Sequence, residues 1–562
     1  MNQIEAAQHI YANVEAEQSP RKRGGFQTLF YTHEFLSEAE VEELESHLVY
    51  FRMEANPRKR LFFRLRTGKF VVAQLVPLAG ADLLGRQGRY LAHSLVFLPE
   101  GFAKLYANPL CVFEQFQFCT TVEEAWKAGD GRTCTIPPAQ IIPPECGAEA
   151  APRLQILFDW PNQEFKKLLI LALRAKELAA KRVSVAFVGE PRTIERVLEG
   201  VFHCLPTDLR LACTFDTHFA GCNPVTLYYW AIGFSESPSG HGGIVVDTRE
   251  KVVRTSEPVS PTNPHEQWVA AMIDKRAFPF LVFHRDTSYA LYTQLQTGEP
   301  VPAGGEIPPE VIESFFQVNQ EYVRGRARTK LSNQITPELA DIVLECVLQK
   351  STPPKLFKAI LNGFPLPELS EALWEIYEER GFHRPNSAEM EAIGVLLQRY
   401  EHTLLQCLWL SWKRSHEQLR SCLAKLSDAE YQKFVRSAVR AQLVDPLNLL
   451  VPGKASAFLD IYVSTGVPRT WEIVKLAKAL VEQNEIRTLT KLAPLFDTLP
   501  QKELRRLHEL LRHHPETPPP LIQELESRLA AKESEKAPTV CSRGRRIISN
   551  FFGKIMRSKR EP

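Results

Sequence analysis

The feature that constrains this chain most is a change of texture at Pro300-Val301-Pro302-Ala303-Gly304-Gly305. Before it, short apolar runs with strand-like alternation are interleaved with helical stretches. After it, to about Lys532, apolar residues recur almost wholly at helical spacing. A cluster of prolines and glycines continues neither a helix nor a strand ladder, so the break separates two halves of different class. The expected fold is an α+β or α/β N-terminal half of two domains, followed by an all-α C-terminal half. At 562 residues the chain is too long for one hydrophobic core and calls for roughly three or four domains.

Residues 1–23 read as a polar leader, because Glu5, Glu15 and Glu17 interrupt any apolar segment of the kind a secretory signal needs. Residues 24–130 read as an α+β domain. Phe26 to Tyr31 is a strand, and Ser37 with Glu40 forms a capping box that opens a helix. Arg60 to Arg66 and Phe70 to Pro77 make a hairpin about Thr67-Gly68-Lys69, and Tyr90 to Leu98 is a further strand. Residues 131–152 hold Pro137, Pro138, Pro143, Pro144 and Pro152, which mark a linker or extended arm. Residues 153–300 alternate between types. Helices are expected over Asn162 to Ala180, Pro191 to Leu205 and His265 to Asp274. Strands are expected over Val183 to Val188, Leu209 to Phe215, Val225 to Phe234 and Gly243 to Asp247, which together make an α/β domain. Residues 305–532 are helical, with a capping box at Ser427 and Glu430 and stops at Gly363-Phe364-Pro365 and Pro452-Gly453. No fixed period emerges there, so the pattern fits a bundle or an irregular solenoid and no named repeat family. Residues 533–562 form a tail.

Charge and cysteine usage narrow the function. The 68 basic and 66 acidic side chains nearly cancel, which argues against a dedicated nucleic-acid binder. The longest apolar runs fall far short of the ~18 residues of a spanning helix. Eleven cysteines are too sparse for a disulfide scaffold and read as reduced thiols of a cytoplasmic protein.

Enzyme motifs are missing. Pro452-Gly453-Lys454-Ala455 has Asn448 where a phosphate loop needs its first glycine, and Ala455 where it needs a hydroxyl for magnesium. His33-Glu34, His265-Glu266 and His416-Glu417 each lack the second histidine of a zinc-protease helix. There is no Gly-x-Ser-x-Gly elbow. No cofactor is expected.

Three constellations stand as candidates. His203, Cys204, Cys213, His218 and Cys222 are metal-ligand types, spaced more widely than structural zinc sites usually are. The competing reading is that they are ordinary core and surface residues. Gly85-Arg86-Gln87-Gly88-Arg89-Tyr90 leads to His93. There Arg86 and Arg89, joined on one positive face by Arg58, Lys59, Arg60, Arg64 and Arg66, would grip an anion or a partner, against the plainer reading of a tight turn and a solvated hairpin face. In the tail, Ile547, Ile548, Phe551, Phe552, Ile555 and Met556 fall on one helical stripe. Arg543, Arg545, Arg546, Lys554, Arg557, Lys559 and Arg560 supply the basic surface. Such a helix docks on an anionic membrane, peripheral to the inner membrane, or in an acidic groove of a partner; a disordered basic tail is the alternative.

Phe26-Gln27-Thr28-Leu29-Phe30-Tyr31-Thr32 and Asp82-Leu83-Leu84-Gly85-Arg86-Gln87-Gly88-Arg89-Tyr90-Leu91-Ala92-His93-Ser94-Leu95 resemble the bacterial GTPase-associated proteins of predicted GTPase-centred conflict systems. Leu205-Pro206-Thr207-Asp208-Leu209-Arg210, leading to Thr214-Phe215-Asp216-Thr217, resembles the middle domain of that family. The resemblance covers about the first 300 residues. It implies an adaptor or effector that works beside a GTPase, and it transfers no catalytic residue. The leading expectation is a non-enzymatic adaptor that binds a GTPase or companion protein. A hydrolase or nucleotide-processing enzyme using Gly85 to His93, and a peripheral membrane protein held by its tail, are the alternatives.

Overall fold

The computed structural model describes residues 3–50, 57–81, 85, 87–143, 158–219, 224–236, 243–299, 306–350, 352–364, 366–465 and 470–534. The chain divides into two units at Arg326 and Ala327. The first holds a mixed sheet with flanking helices, and the described part of the second is helical, which agrees with the fold class expected from sequence.

The strands are β1 (Ile4–Val14), β2 (Gly25–Tyr31), β3 (Lys59–Arg64), β4 (Phe70–Pro77), β5 (Tyr90–Phe97), β6 (Ala139–Ile141), β7 (Val185–Val188), β8 (Phe215–Asp216), β9 (Ala231–Phe234), β10 (Ile244–Asp247) and β11 (Val252–Arg254). They form one sheet in the order β11-β10-β7-β9-β8-β3-β4-β5-β1-β2, with β6 also pairing β1. From β3 to β2 the neighbours are antiparallel. From β8 through β9 and β7 to β10 they are parallel. The two regimes meet where β3 pairs antiparallel with β8, Leu61 opposite Asp216 and Phe62 opposite Phe215. The regions expected as an N-terminal and a middle domain therefore share one continuous sheet.

Helix α1 (Glu38–His47) starts at the expected capping box, where the Ser37 hydroxyl accepts from Glu40 N–H and the Glu40 carboxylate accepts from Ser37 N–H. Its Leu44, with Leu36 and Leu48, packs on a sheet face made of Leu61, Phe63, Val71, Ala73, Leu75, Tyr90 and Ala92. The β3–β4 turn needs Gly68, whose φ of +92° is strained for any residue with a Cβ. Lys69 at that turn reaches Glu40 at 2.8 Å and ties the turn to α1. On the opposite face Ile10, Ala12, Leu29, Phe30, Val76 and Leu91 pack with Val122 and Ala125. Those two residues come from α4 (Val122–Ala128), which follows α2 (Pro99–Ala103) and α3 (Pro109–Gln115).

Four expectations need correction. The polar leader is β1, an internal strand between β5 and β2. It is buried on both sides, so it carries no alternation of apolar and polar residues. Its Gln8, His9 and Asn13 are buried with hydrogen-bond partners inside the protein. Within the Pro-rich linker, Ala139–Ile141 pairs with the start of β1 as β6. Leu209 to Phe215 is not a strand. Pro206 instead opens a one-turn helix, Thr207–Arg210, and only Phe215 and Asp216 are extended. Val225 to Phe234 splits into a 3-10 turn, Pro224–Tyr228, and β9.

In the second unit the helices from Pro337–Lys350 to Pro519–Ser534 pack mainly on neighbours a few elements away in sequence. Trp374, Tyr431, Phe434, Leu405 and Leu423 are among the side chains of its core. The Ser427–Glu430 capping box is present, opening Asp428–Arg440.

Candidate functional site

The junction of β3 and β8 holds a cluster of buried charged and polar side chains. Lys59 opens β3 and points into the sheet face covered by α1. Its Nζ lies 2.9 Å from the Asp216 carboxylate, and both side chains are essentially fully buried. Nζ also sits 4.4 Å from the centre of the Tyr50 ring, a cation–π contact. The second Asp216 oxygen accepts from the His218 backbone N–H at 2.9 Å. Burial pushes the Asp216 carboxyl above its usual range, opposed by Lys59 and by these hydrogen bonds.

Beside the pair, His47 Nδ1 and Tyr229 Oη share a hydrogen bond of 2.5 Å. Both rings stack on Phe63. Burial lowers His47 to about 4, so its imidazole is neutral. Burial, then the Asp216 charge, raises the Tyr229 phenol. Charge and hydrogen-bond capacity are thus met inside the protein. The pair spans the seam where β3 meets β8, and either charge alone there would be buried without a counter-charge.

The other sequence candidates are dispersed. Arg60 faces the opposite side of β3. It donates to Glu195 at 3.0 Å and lies 4.5 Å over the Phe113 ring. Glu195 belongs to the helix Pro191–Cys204, so this contact clamps that helix to the sheet. Arg64 is exposed and donates to the Gly68 carbonyl at 3.3 Å. Arg89 is buried two strands away, where its guanidinium donates to the Asn13 carbonyl and to Gln18 Oε1. Arg60, Arg64 and Arg89 therefore do not converge on one anion. Arg86 lies outside the described residues.

His93 is 1% exposed in the middle of β5. Cys119 N–H donates to its Nδ1 at 3.0 Å, so Nε2 carries the proton and donates to Gln8 Oε1 at 2.9 Å. Gln8 in turn donates to the Pro137 carbonyl at 2.7 Å. Burial lowers the ring to about 3. Seated so, His93 joins four segments and leaves neither nitrogen for a substrate.

Of the metal-ligand candidates, Cys213 Sγ contacts the Ala172 carbonyl at 3.5 Å, and His218 stands edge-on to Tyr50. His203 lies 3.9 Å from Glu199, and Cys204 is buried with its thiol pushed up to about 12. Among the described residues no three His, Cys, Asp or Glu side chains are grouped to hold a metal. Cys222 and the tail residues, including Arg545, Arg546, Ile548, Phe551, Phe552, Lys554, Ile555 and Arg557, lie outside the described residues.

The segment that carries β1 to β5 and α1 to α4 is also the one that known families account for. Residues 5–127 match the model of the GTPase-associated protein 1 N-terminal domain, type 2. The resemblance seen at Phe26 to Thr32 and at Asp82 to Leu95 falls inside the matched residues. No curated protein matches the chain. The match ends within α4, so β7 to β11, which extend the same sheet, lie beyond it.

Sequence reading put Lys59 on a positive surface face, whereas it is buried against Asp216, and it did not single out Tyr50, His47 or Tyr229. One signal was available: Lys59 immediately precedes an alternating run, and Asp216 sits in the Thr214-Phe215-Asp216-Thr217 stretch that resembles the family. Arg210, in the preceding stretch, is fully buried and donates to the Tyr106 carbonyl at 2.7 Å, so it joins the matched domain to the strands that follow.

Proposed function

We propose that this chain is a non-enzymatic adaptor that binds a GTPase or a companion protein within a bacterial GTPase-centred conflict system. The observation that carries this reading is the GTPase-associated domain at residues 5–127. It is supported by the occupation of the polar groups that a catalytic reading would use: His93 is saturated by Cys119 and Gln8, and Arg89 by Asn13 and Gln18. The helical half supplies further surface for macromolecular contacts.

The test is affinity capture of the tagged full chain from its native host, followed by identification of what it retains. Recovery of a GTPase supports the adaptor; capture that repeatedly yields no GTPase or companion protein sinks it. The enzymatic alternative is separated by His93→Gln. If that variant folds and still captures the partner, the adaptor reading expects full cellular function.

The amphipathic pattern from Ile547 to Met556 motivates a second role for residues 533–562, docking on an anionic membrane or in a partner groove. Flotation with anionic vesicles compares the full chain with one ending at Val540, and equal flotation removes the membrane role. No helix among the described residues is long and apolar enough to cross a membrane.

A further inference from the structure

In the second unit, helices Thr403–Lys413 and His416–Lys425 pack against each other across a short turn at Arg414, which adopts the left-handed conformation at φ +58°. The pair faces itself through two cysteines. Cys407 Sγ and Cys422 Sγ lie 3.0 Å apart, with Cys407 donating to Cys422. Cys407 is completely buried and Cys422 is 6% exposed, beside the exposed Ser421 and Lys425. Two sulfurs this close, on consecutive helices packed together, are about 1 Å from disulfide bonding distance.

We propose that Cys407 and Cys422 form a reversible disulfide that staples this helical hairpin when the protein meets a peroxide or a low-molecular-weight disulfide. The chemistry divides between the two thiols. Cys422, the less buried of the two, is the attacking sulfur: the hydrogen bond from Cys407, opposed by burial and aided by the Lys425 charge, favours its thiolate. Cys407 is the resolving thiol, held protonated by its contact with Cys422 and by burial.

With a peroxide, the Cys422 thiolate attacks the O–O bond and becomes a sulfenic acid, and the peroxide leaves as water or an alcohol. Cys407 sulfur then displaces hydroxide from the Cys422 sulfur, and its own proton leaves with that hydroxide as water. Two thiols lose two electrons and two protons, and the peroxide gains them. With a low-molecular-weight disulfide, Cys422 forms a mixed disulfide and releases one thiol. Cys407 then closes the internal bond and releases the second. The bond closes the short loop between residues 407 and 422 in a hairpin that is already formed, so the folded shape is retained and the unfolded chain is restricted.

The experiment uses the full chain, incubated with oxidised glutathione or hydrogen peroxide, quenched by alkylation and mapped by mass spectrometry without reduction. The expected result is one dominant cross-linked peptide joining Cys407 to Cys422, reversed by dithiothreitol. Thermal unfolding of the oxidised protein should shift upward, and Cys422→Ala should abolish both the cross-link and the shift. Alkylation of both cysteines after oxidation that modifies other thiols overturns the proposal. So does a dominant cross-link between any other cysteines. Because the peptide map of the unsubstituted chain decides the matter, a variant that fails to fold does not rescue it.

Discussion

Lys59 shows how a single residue is read differently by sequence and by structure. In sequence it is one basic residue in a basic stretch. In the fold it is buried against Asp216, and each charge is tolerable only because of the other. Lys59→Met alone should cost about 3–5 kcal/mol in urea unfolding, because it leaves a buried carboxylate unpaired. Lys59→Met combined with Asp216→Leu should recover most of that loss; equal instability of the single and double variants would contradict the account. Histidine burial sets a second expectation. His9 and His93 titrate near 3 in the folded chain, through burial first, against about 6.5 when unfolded. Their folded values are depressed, so the stability linked to them is complete above pH 6.5. It is lost as pH falls from 6.5 towards 3, by about 1.4 kcal/mol per pH unit for each ring. Denaturation midpoints at pH 7.5, 6.5 and 5.5 should fall in that order, and less steeply in His93→Gln. A midpoint that holds constant down to pH 5.5 would refute this.

Elements differ in how much of their fate is local. The α1 start was legible because a capping box is a contiguous pattern, and Ser37→Ala should cost about 1 kcal/mol. The helix Asp428–Arg440 was legible for the same reason. The seam was not legible, since its pairing joins residues more than 150 positions apart. Gly233 in β9 depends on that seam: a Cβ there would stand 2.1 Å from the Thr217 carbonyl oxygen, while the Gly233 carbonyl accepts from Phe219 N–H at 2.7 Å. Gly233→Ala should therefore destabilise by about 1–3 kcal/mol, because main chain must move to admit a methyl group. Wild-type stability in that variant would place β9 elsewhere.

For the first unit as a whole, the consequence of one shared sheet is that its parts should not fold separately. Residues 1–143 alone would leave β3 without β8 and would leave Lys59 without the carboxylate it is buried against. Circular dichroism and proteolysis should find that fragment unfolded or aggregated, and residues 1–326 folded. Removing residues 1–23, harmless if they were a leader, should unfold the unit by taking out an internal strand. What the sequence determined by itself was what is written in contiguous residues: the capping boxes, the β3–β4 hairpin, the helical second half and the family signature. The placement of β1, the joining of two expected domains into one sheet, and the conversion of Arg89 and His93 into structural residues were decided only by tertiary structure. Burial on both faces erases alternation, and the partners that satisfy a buried polar group are chosen in space, at distances along the chain that no local pattern encodes.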